Sequence, residues 1–222
     1  MIIAIANEQI NSGKSILAEN FAALCAYAGR AVMLVDSTSQ RKSYLWSVER
    51  ASSGVEQRVP VRAIGGKGLE PELENLSMRY KDIVIDTEGR DSMASRSALI
   101  AARLVIIPVR AGEIDCRRQN VLVRRIEAAR QVNPNLRVLV IISRAGHDVS
   151  DEDRKAVESF VARIPSAILS QTIIHEEAAF CAAVDEGLSA PECMSPDNRA
   201  VIEMLNIYRE VFEGEQHQAR IA

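Results

Sequence analysis

The sequence contains few of the side chains that bind transition metals or cross-link a chain. It has three histidines and four cysteines in 222 residues, and no two cysteines form a C-x-x-C pair. We therefore expect neither a zinc cluster nor a disulfide framework. No segment near the start resembles a signal peptide, so we expect a cytoplasmic location with reduced thiols.

Long apolar runs and an excess of positive charge are also absent. No stretch approaches the ~18 apolar residues of a membrane-spanning helix, so we expect no membrane contact. The formal net charge is −3, and nucleic acid could therefore bind only through a local basic patch. The length and a hydrophobic content of 47% suit a single α/β domain, which we assign to residues 1–213, with 214–222 as a flexible tail.

Apolar runs alternate with helical patterns along most of the chain. The predicted strands are 1–6, 31–36, 81–86, 104–109 and 138–142, and the predicted helices are 16–28, 92–102, 114–131 and 150–163. Such alternation predicts βαβ units, hence an α/β fold with a doubly wound, mainly parallel sheet flanked by helices. A glycine cluster at 65–68 is interpreted as a loop, with little weight as a phosphate site.

The segment between the first strand and the first helix ends in Ser-Gly-Lys-Ser. This is the second half of a phosphate-binding loop, G-x-x-x-x-G-K-[ST], although Glu8 occupies the first glycine position. Lys14 would reach the β- and γ-phosphates, and Ser15 would ligate Mg²⁺. The candidate nucleotide-binding residues are Asn11, Ser12, Gly13, Lys14, Ser15 and Ile16. A surface turn with the same tetrapeptide is the alternative.

Two aspartates end apolar strands where a magnesium ligand is needed. Asp36 and Asp86 follow the second and third predicted strands, and ligands of open α/β sheets bind at this edge. We therefore predict a metal site of Ser15, Asp36 and Asp86, and catalytic roles for Lys14 and both aspartates. Helix N-capping is the alternative for each aspartate.

Together these features resemble the ParA/MinD family of P-loop ATPases, from Met1 to about Val211. The resemblance rests on the N-terminal strand and loop, the segment Leu34 to Gln40, Gly89 after the strand that ends at Asp86, and the strand Leu104 to Val109. Trp46 matches a tryptophan common in small plasmid-partition ParA proteins. The resemblance implies a P-loop fold, ATP and Mg²⁺ as ligands, a homodimer, a ParB-type partner protein and non-specific contact with DNA. It also implies a location in the bacterial cytoplasm, in association with the nucleoid.

The chain departs from the family pattern at two points. The deviant Walker A motif K-G-G-x-G-K-[ST] has a signature lysine that reaches the partner's nucleotide, but here Gln9 replaces it, and Ile10 and Asn11 replace two glycines. The second aspartate of the family's D-x-D-P motif is Thr38. Losing two charges that act on the transition state commonly costs several kcal/mol of barrier. We therefore expect a weak or absent ATPase activity.

The helix after the fourth strand carries a cluster of arginines. Arg117, Arg124 and Arg125 share one side of the predicted helix and are the candidate DNA-binding residues. The alternative is an ordinary solvated face, because acidic residues lie nearby.

Two further helices are predicted near the C-terminus. One includes His175 and continues through Phe180 and Val184. The other, Val201 to Phe212, is amphipathic with an acidic polar side, so we expect it to pack on the core rather than on a membrane.

Three functions are compatible with these patterns. The first is an ATP-binding partition or cargo-positioning protein that works as a nucleotide-controlled dimer. The second is a hydrolysis-dead scaffold that binds a protein partner. The third is a small P-loop biosynthetic ligase, which would need a more regular loop.

Overall fold

The computed structural model describes residues 1–9, 11–176, 185–193 and 198–219, and gives side chains for all of these except 116, 198 and 213–219. Seven parallel strands form one sheet in the order β3-β2-β4-β1-β5-β6-β7. The strands are β1 Ile2–Ile5, β2 Val32–Asp36, β3 Val61–Ala63, β4 Asp82–Asp86, β5 Leu104–Arg110, β6 Arg137–Ser143 and β7 Ala167–Leu169. The predicted doubly wound parallel sheet is confirmed.

Helices cover both faces of this sheet. In the described ranges they are α1 Lys14–Tyr27, α2 Lys42–Ser52, α3 Leu69–Ser77, α4 Met93–Ala101, α5 Cys116–Val132, α6 Asp151–Val161 and α7 Asn198–Ala219. One core cluster joins the sheet to α3, α4, α5 and α6, and the other joins it to α1, α2 and α7. The central strands are fully buried because both faces are covered, which explains their continuous apolar sequences.

Four short elements were not predicted from the sequence. They are α2, β3, α3 and β7. The strands β3 and β7 have three residues each and only partial burial, so neither contains a long apolar run. The glycine cluster interpreted as a loop forms a short 3₁₀ helix at Gly66–Gly68 that leads directly into α3.

The last helix packs on the core, as predicted. Met204, Ile207, Val211 and Phe212 are buried, and the ring of Phe212 stacks on Phe21 with centroids 5.8 Å apart. The helix continues to Ala219, beyond the predicted domain end at residue 213. In the described ranges, no helix combines the length and the hydropathy that crossing a bilayer requires. His175, which the sequence places in a further helix, instead forms an isolated parallel β-bridge with Ala145, and the rest of that predicted helix, residues 177–184, lies outside the described residues.

Candidate nucleotide-binding site

The loop between β1 and α1 has two residues with a left-handed backbone. Asn11 has φ 60° and Gly13 has φ 84°, and both residue types tolerate this conformation. Asn11, at a position where the ParA/MinD motif has glycine, is therefore in a conformation that glycine also adopts readily. No side chain caps the N-terminus of α1, so the N–H groups of its first turn are available to an anion.

Side chains at the C-terminal end of β6 donate hydrogen bonds to the backbone of this loop. The Ser143 hydroxyl donates to the carbonyl of Ser12 at 2.9 Å, and Arg144 Nη1 donates to the carbonyl of Asn11 at 2.9 Å. The aliphatic part of Arg144 also lies against Gly13. The sequence indicated only that these two residues follow a strand, so their role in supporting the loop was not predicted.

Lys14 folds back onto its own loop. Its Nζ donates to the carbonyl of Gln9 at 2.8 Å and lies 3.4 Å from Ser12 Oγ. Burial lowers the pKa of Lys14, while Asp86 and Glu8 act in the opposite direction. Gly89 lies beside the ammonium group, because a Cβ at that position would be 3.2 Å from Nζ. A side chain at position 89 would therefore crowd the Lys14 ammonium group.

Gln9, at the position of the signature lysine, is buried and bonded within its own chain. Its Nε2 donates to the carbonyl of Glu113 at 2.9 Å, and its backbone N–H donates to Asn7 Oδ1 at 2.9 Å. Its Oε1 is buried and has no hydrogen-bond partner among the described residues. The Gln9 side chain is therefore engaged by hydrogen bonding within its own chain.

Glu8, which occupies the first glycine position, forms an ion pair with Arg125. Both side chains are largely buried, and the same guanidinium also donates to Ser95 Oγ at 2.6 Å and lies 3.4 Å from Asp91. Arg125 thus links the loop to α4 and α5 and is not a surface cation. Of the other candidate DNA-binding residues, Arg117 and Arg124 are exposed on α5.

Asp86 is fully buried beside the first turn of α1. Burial, together with the nearby Asp36, raises the pKa of Asp86 to about 7, although the neighbouring Ser15 and Ser43 hydroxyls act in the opposite direction. Its Oδ1 has no hydrogen-bond partner among the described residues. A buried acceptor next to the Ser15 hydroxyl suits Mg²⁺ or a magnesium-bound water, since Mg²⁺ usually takes one or two carboxylates plus substrate phosphates.

Glu19 and Ser43 join Asp86 in a buried polar cluster that sequence reasoning missed. Ser43 Oγ lies 3.0 Å from Glu19 Oε1 and 3.0 Å from Asp86 Oδ2. Burial and the charge of Asp86 raise the pKa of Glu19 well above its ordinary value. Since a hydroxyl donates only one proton, both contacts are hydrogen bonds only when one carboxyl group is protonated, and the raised pKa favours Glu19 for that role.

Asp36 lies beside Asp86, because the two are register partners in β2 and β4. Its Oδ1 accepts hydrogen bonds from the Thr38 N–H at 2.9 Å and the Thr38 hydroxyl at 2.7 Å, and its Oδ2 accepts from the Tyr44 N–H at 3.0 Å. The carboxylate therefore accepts a hydrogen bond from the first turn of α2, although the N-cap residue of this helix is Arg41 and not Asp36. A carboxylate retains lone pairs for a magnesium-bound water.

A cavity of about 270 Å³ adjoins Asp36 at the ends of β2, β3 and β4. Thr38, Arg41, Gly66 and Glu88 contribute to its lining. The glycine cluster therefore lies at the ligand-binding edge of the sheet rather than remote from it. In the described part of the chain, no group of three or more histidine, cysteine, aspartate or glutamate residues could hold a metal ion by itself.

The strand order and this loop define a known fold. A parallel sheet with a glycine-lysine-serine loop between its central strand and α1, and with aspartates at the ends of the adjacent strand β4 and of β2, the next strand outward, is the ParA/MinD-like P-loop fold. Comparison with solved structures supports the same fold. No family model matches the chain, and no curated protein matches it.

Three solved structures illustrate the likeness. A plasmid partition protein from Borrelia burgdorferi bound to AMPPNP has 18% identity and a TM-score of 0.72, covering 96% of this chain and 98% of its own. McdA from Cyanothece has 18% identity and a TM-score of 0.69, covering 92% and 97%. MinD from Pyrococcus horikoshii, complexed with Mg-ADP, has 16% identity and a TM-score of 0.69, covering 95% of each chain.

Proposed function

We propose that this chain binds ATP with Mg²⁺ and acts as a ParA-like protein in partition or cargo positioning. The observation that carries the proposal is the contact between the uncapped first turn of α1 and Asp86. Phosphates would bind the N–H groups of this turn and Lys14. Ser15, Asp86 and Asp36 would hold Mg²⁺, which neutralises phosphate charge when bound. Similar folds were solved with AMPPNP and Mg-ADP.

We further propose that hydrolysis is slow. Gln9 carries no charge and is bonded to Glu113, and Thr38 donates to Asp36 instead of presenting a second carboxylate. The groups that would act on the attacking water and on the transition-state charge are therefore missing from this chain. Each such loss typically lowers the rate by a factor of about 100 to 1,000.

A nucleotide-controlled homodimer, a ParB-type partner protein and non-specific DNA binding complete this proposal. The DNA contact would use Arg117 and Arg124, which are exposed, whereas Arg125 is engaged by Glu8. Salt-dependent binding to duplex DNA that is lost in the double variant Arg117→Ala/Arg124→Ala would support this part. Binding that the double variant retains would contradict it.

Thermal-shift and calorimetric titration with ATP–Mg²⁺ tests the nucleotide site directly. At a ligand concentration of ~100 Kd, binding should stabilise the protein by about 2.7 kcal/mol. Lys14→Ala should remove this stabilisation, while Lys155→Ala, which changes an exposed lysine on α6, should retain it. Absence of binding by the unaltered chain at millimolar nucleotide would refute the proposal.

One observation favours a second candidate, a scaffold that binds nucleotide without hydrolysing it. Both Asp36 oxygens already accept hydrogen bonds from the loop that begins α2. In that case ATP would act as a structural ligand for a protein interface. Single-turnover measurement of phosphate release separates the candidates, because a scaffold shows binding with no measurable turnover.

A further inference from the structure

A second cavity lies at the opposite end of the sheet from the phosphate-binding loop. Its volume is about 360 Å³, which is within the range of small-molecule sites. Its lining includes the starts of β5 and β6 and part of β7, whereas the candidate nucleotide site lies where strands end. The cavity and the candidate nucleotide site share no residue, so the proposed binding of ATP does not account for this cavity.

Two neighbouring arginines line this cavity. Arg103 precedes β5 and Arg137 begins β6, and the N–H of Arg137 donates to the carbonyl of Arg103 at 3.1 Å. Within the described ranges neither guanidinium takes part in an ion pair, whereas Arg30, Arg50 and Arg125 all pair with carboxylates. Two unpaired like charges on adjacent strands favour an anion that both can bind.

The remaining walls combine polar groups with an apolar surface. Asn135 and Ser166 add an amide and a hydroxyl, and Leu104 and Leu139 add aliphatic side chains. Glu210 also lines the cavity, but its oxygens accept hydrogen bonds from the Ser170 hydroxyl at 2.6 Å and the Gln171 N–H at 3.2 Å. These neutral donors stabilise the Glu210 carboxylate without cancelling its charge, so two positive charges and one negative charge line the cavity.

We propose that this cavity binds a small organic anion. Its phosphate or carboxylate group would lie between Arg103 and Arg137, because the planar guanidinium fork matches the geometry of both oxyanions. Its apolar part would pack on Leu104 and Leu139. The site is independent of ATP binding and would respond to a second, chemically different ligand.

Calorimetry with phenyl phosphate, benzoate and uncharged benzyl alcohol tests the proposal. The titrations use the Lys14→Ala variant of the full chain, so that phosphate cannot bind at the α1 loop. We expect at least one of the two anions to bind at millimolar concentration and benzyl alcohol not to bind. The comparison of phenyl phosphate with benzoate then identifies the preferred oxyanion.

Substitution of the arginines locates the binding. Arg103→Ala and Arg137→Ala should each weaken anion binding about tenfold, since a charge-assisted hydrogen bond contributes roughly this factor, and the double variant should not bind. Arg154→Ala, at an exposed arginine of α6, should bind normally. The proposal is wrong if neither anion binds, if benzyl alcohol binds equally well, or if the double variant retains affinity while its thermal midpoint shows it folded.

Discussion

Glu19 and Asp86 are joined by one serine hydroxyl, which lies 3.0 Å from an oxygen of each carboxyl group. Both contacts are hydrogen bonds only when one of these groups is neutral, and Glu19 is the more strongly perturbed by burial. We therefore expect Glu19→Gln to be nearly neutral for ATP binding and, at about pH 4, for stability, because its amide can donate to Ser43 as the acid does. At neutral pH it should stabilise the protein, since only the unfolded chain ionises Glu19 there. Urea unfolding and nucleotide titration measure both effects.

Ser43→Ala is the matched contrast to Glu19→Gln. It leaves two buried carboxyl groups without their shared partner, which should cost about 1–3 kcal/mol in the free energy of unfolding. If Glu19→Gln were as destabilising as Ser43→Ala, Glu19 would have to be ionised and the assignment of the proton would fail.

The same cluster predicts the pH dependence of stability. The pKa values of Glu19 and Asp86 are raised in the folded state, that of Asp86 from 3.8 to about 7, so the folded protein binds protons more tightly than the unfolded chain. Their contribution to stability is therefore present below pH ~4 and lost as the pH rises, by up to about 1.4 kcal/mol per pH unit for each group. For Asp86 the loss is complete just above pH ~7.

Urea unfolding from pH 4.5 to 8 without nucleotide measures this dependence. Glu19→Gln should give a shallower fall in the free energy of unfolding than the unaltered protein, because one of the two titrations is removed. Equal slopes would show that Glu19 does not gain a proton on folding.

The ion pair of Glu8 with Arg125 should contribute strongly to stability. Arg125→Ala leaves a buried carboxylate without its partner, which typically costs about 3–5 kcal/mol. Arg124→Ala, at the adjacent exposed arginine, should change stability by no more than about 0.5 kcal/mol. Thermal or urea unfolding compares the two variants.

Removing the partner charge provides the control for Arg125. The double variant Glu8→Gln/Arg125→Ala should recover part of the lost stability, because no buried charge remains unpaired. Equal destabilisation by Arg124→Ala and Arg125→Ala would be incompatible with the described ion pair.

Restoring the family's second aspartate should not by itself restore hydrolysis. The Thr38 hydroxyl donates to Asp36 Oδ1 at 2.7 Å, so the carboxylate of Thr38→Asp would face another carboxylate and raise one of the two pKa values. We expect lower stability and no gain in single-turnover ATP hydrolysis, whereas Thr38→Ser should behave as the unaltered chain. Faster phosphate release by Thr38→Asp alone would contradict this interpretation.

From the sequence we could predict those parts of the candidate site whose residues directly follow or end a predicted strand. The strands are apolar runs, and the Gly13-Lys14-Ser15 turn and the terminal aspartates follow them directly, so their positions at one sheet edge follow from topology. Glu19 was missed because a glutamate in a helix is ordinarily exposed, and only folding brings Ser43 against it. Arg125 was assigned to a surface patch for a similar reason, since helical periodicity cannot show that Glu8 lies opposite.

Residues 185–193, which follow β7 in the chain, pack against α2 at Gly187. A Cβ at this position would lie 2.1 Å from the backbone nitrogen of Arg50, and the residue has φ 68°. Gly187 and its neighbour Leu188 also accept hydrogen bonds from Arg50 Nη1 at 3.0 Å and from Trp46 Nε1 at 2.9 Å. Gly187→Ala should therefore separate this segment from α2 and destabilise the protein by more than backbone strain alone.

Gly29→Ala is the control that separates the steric overlap with Arg50 from the strain of a left-handed alanine. Gly29 has φ 70°, but nothing lies within 4 Å of the position of its Cβ, so its substitution should cost only the roughly 1–2 kcal/mol of a left-handed alanine. Gly187→Ala adds an overlap with backbone that no side-chain rotation can relieve, and should exceed Gly29→Ala by at least ~2 kcal/mol in urea unfolding. Equal losses in the two variants would mean that Arg50 and Gly187 do not approach as closely as described.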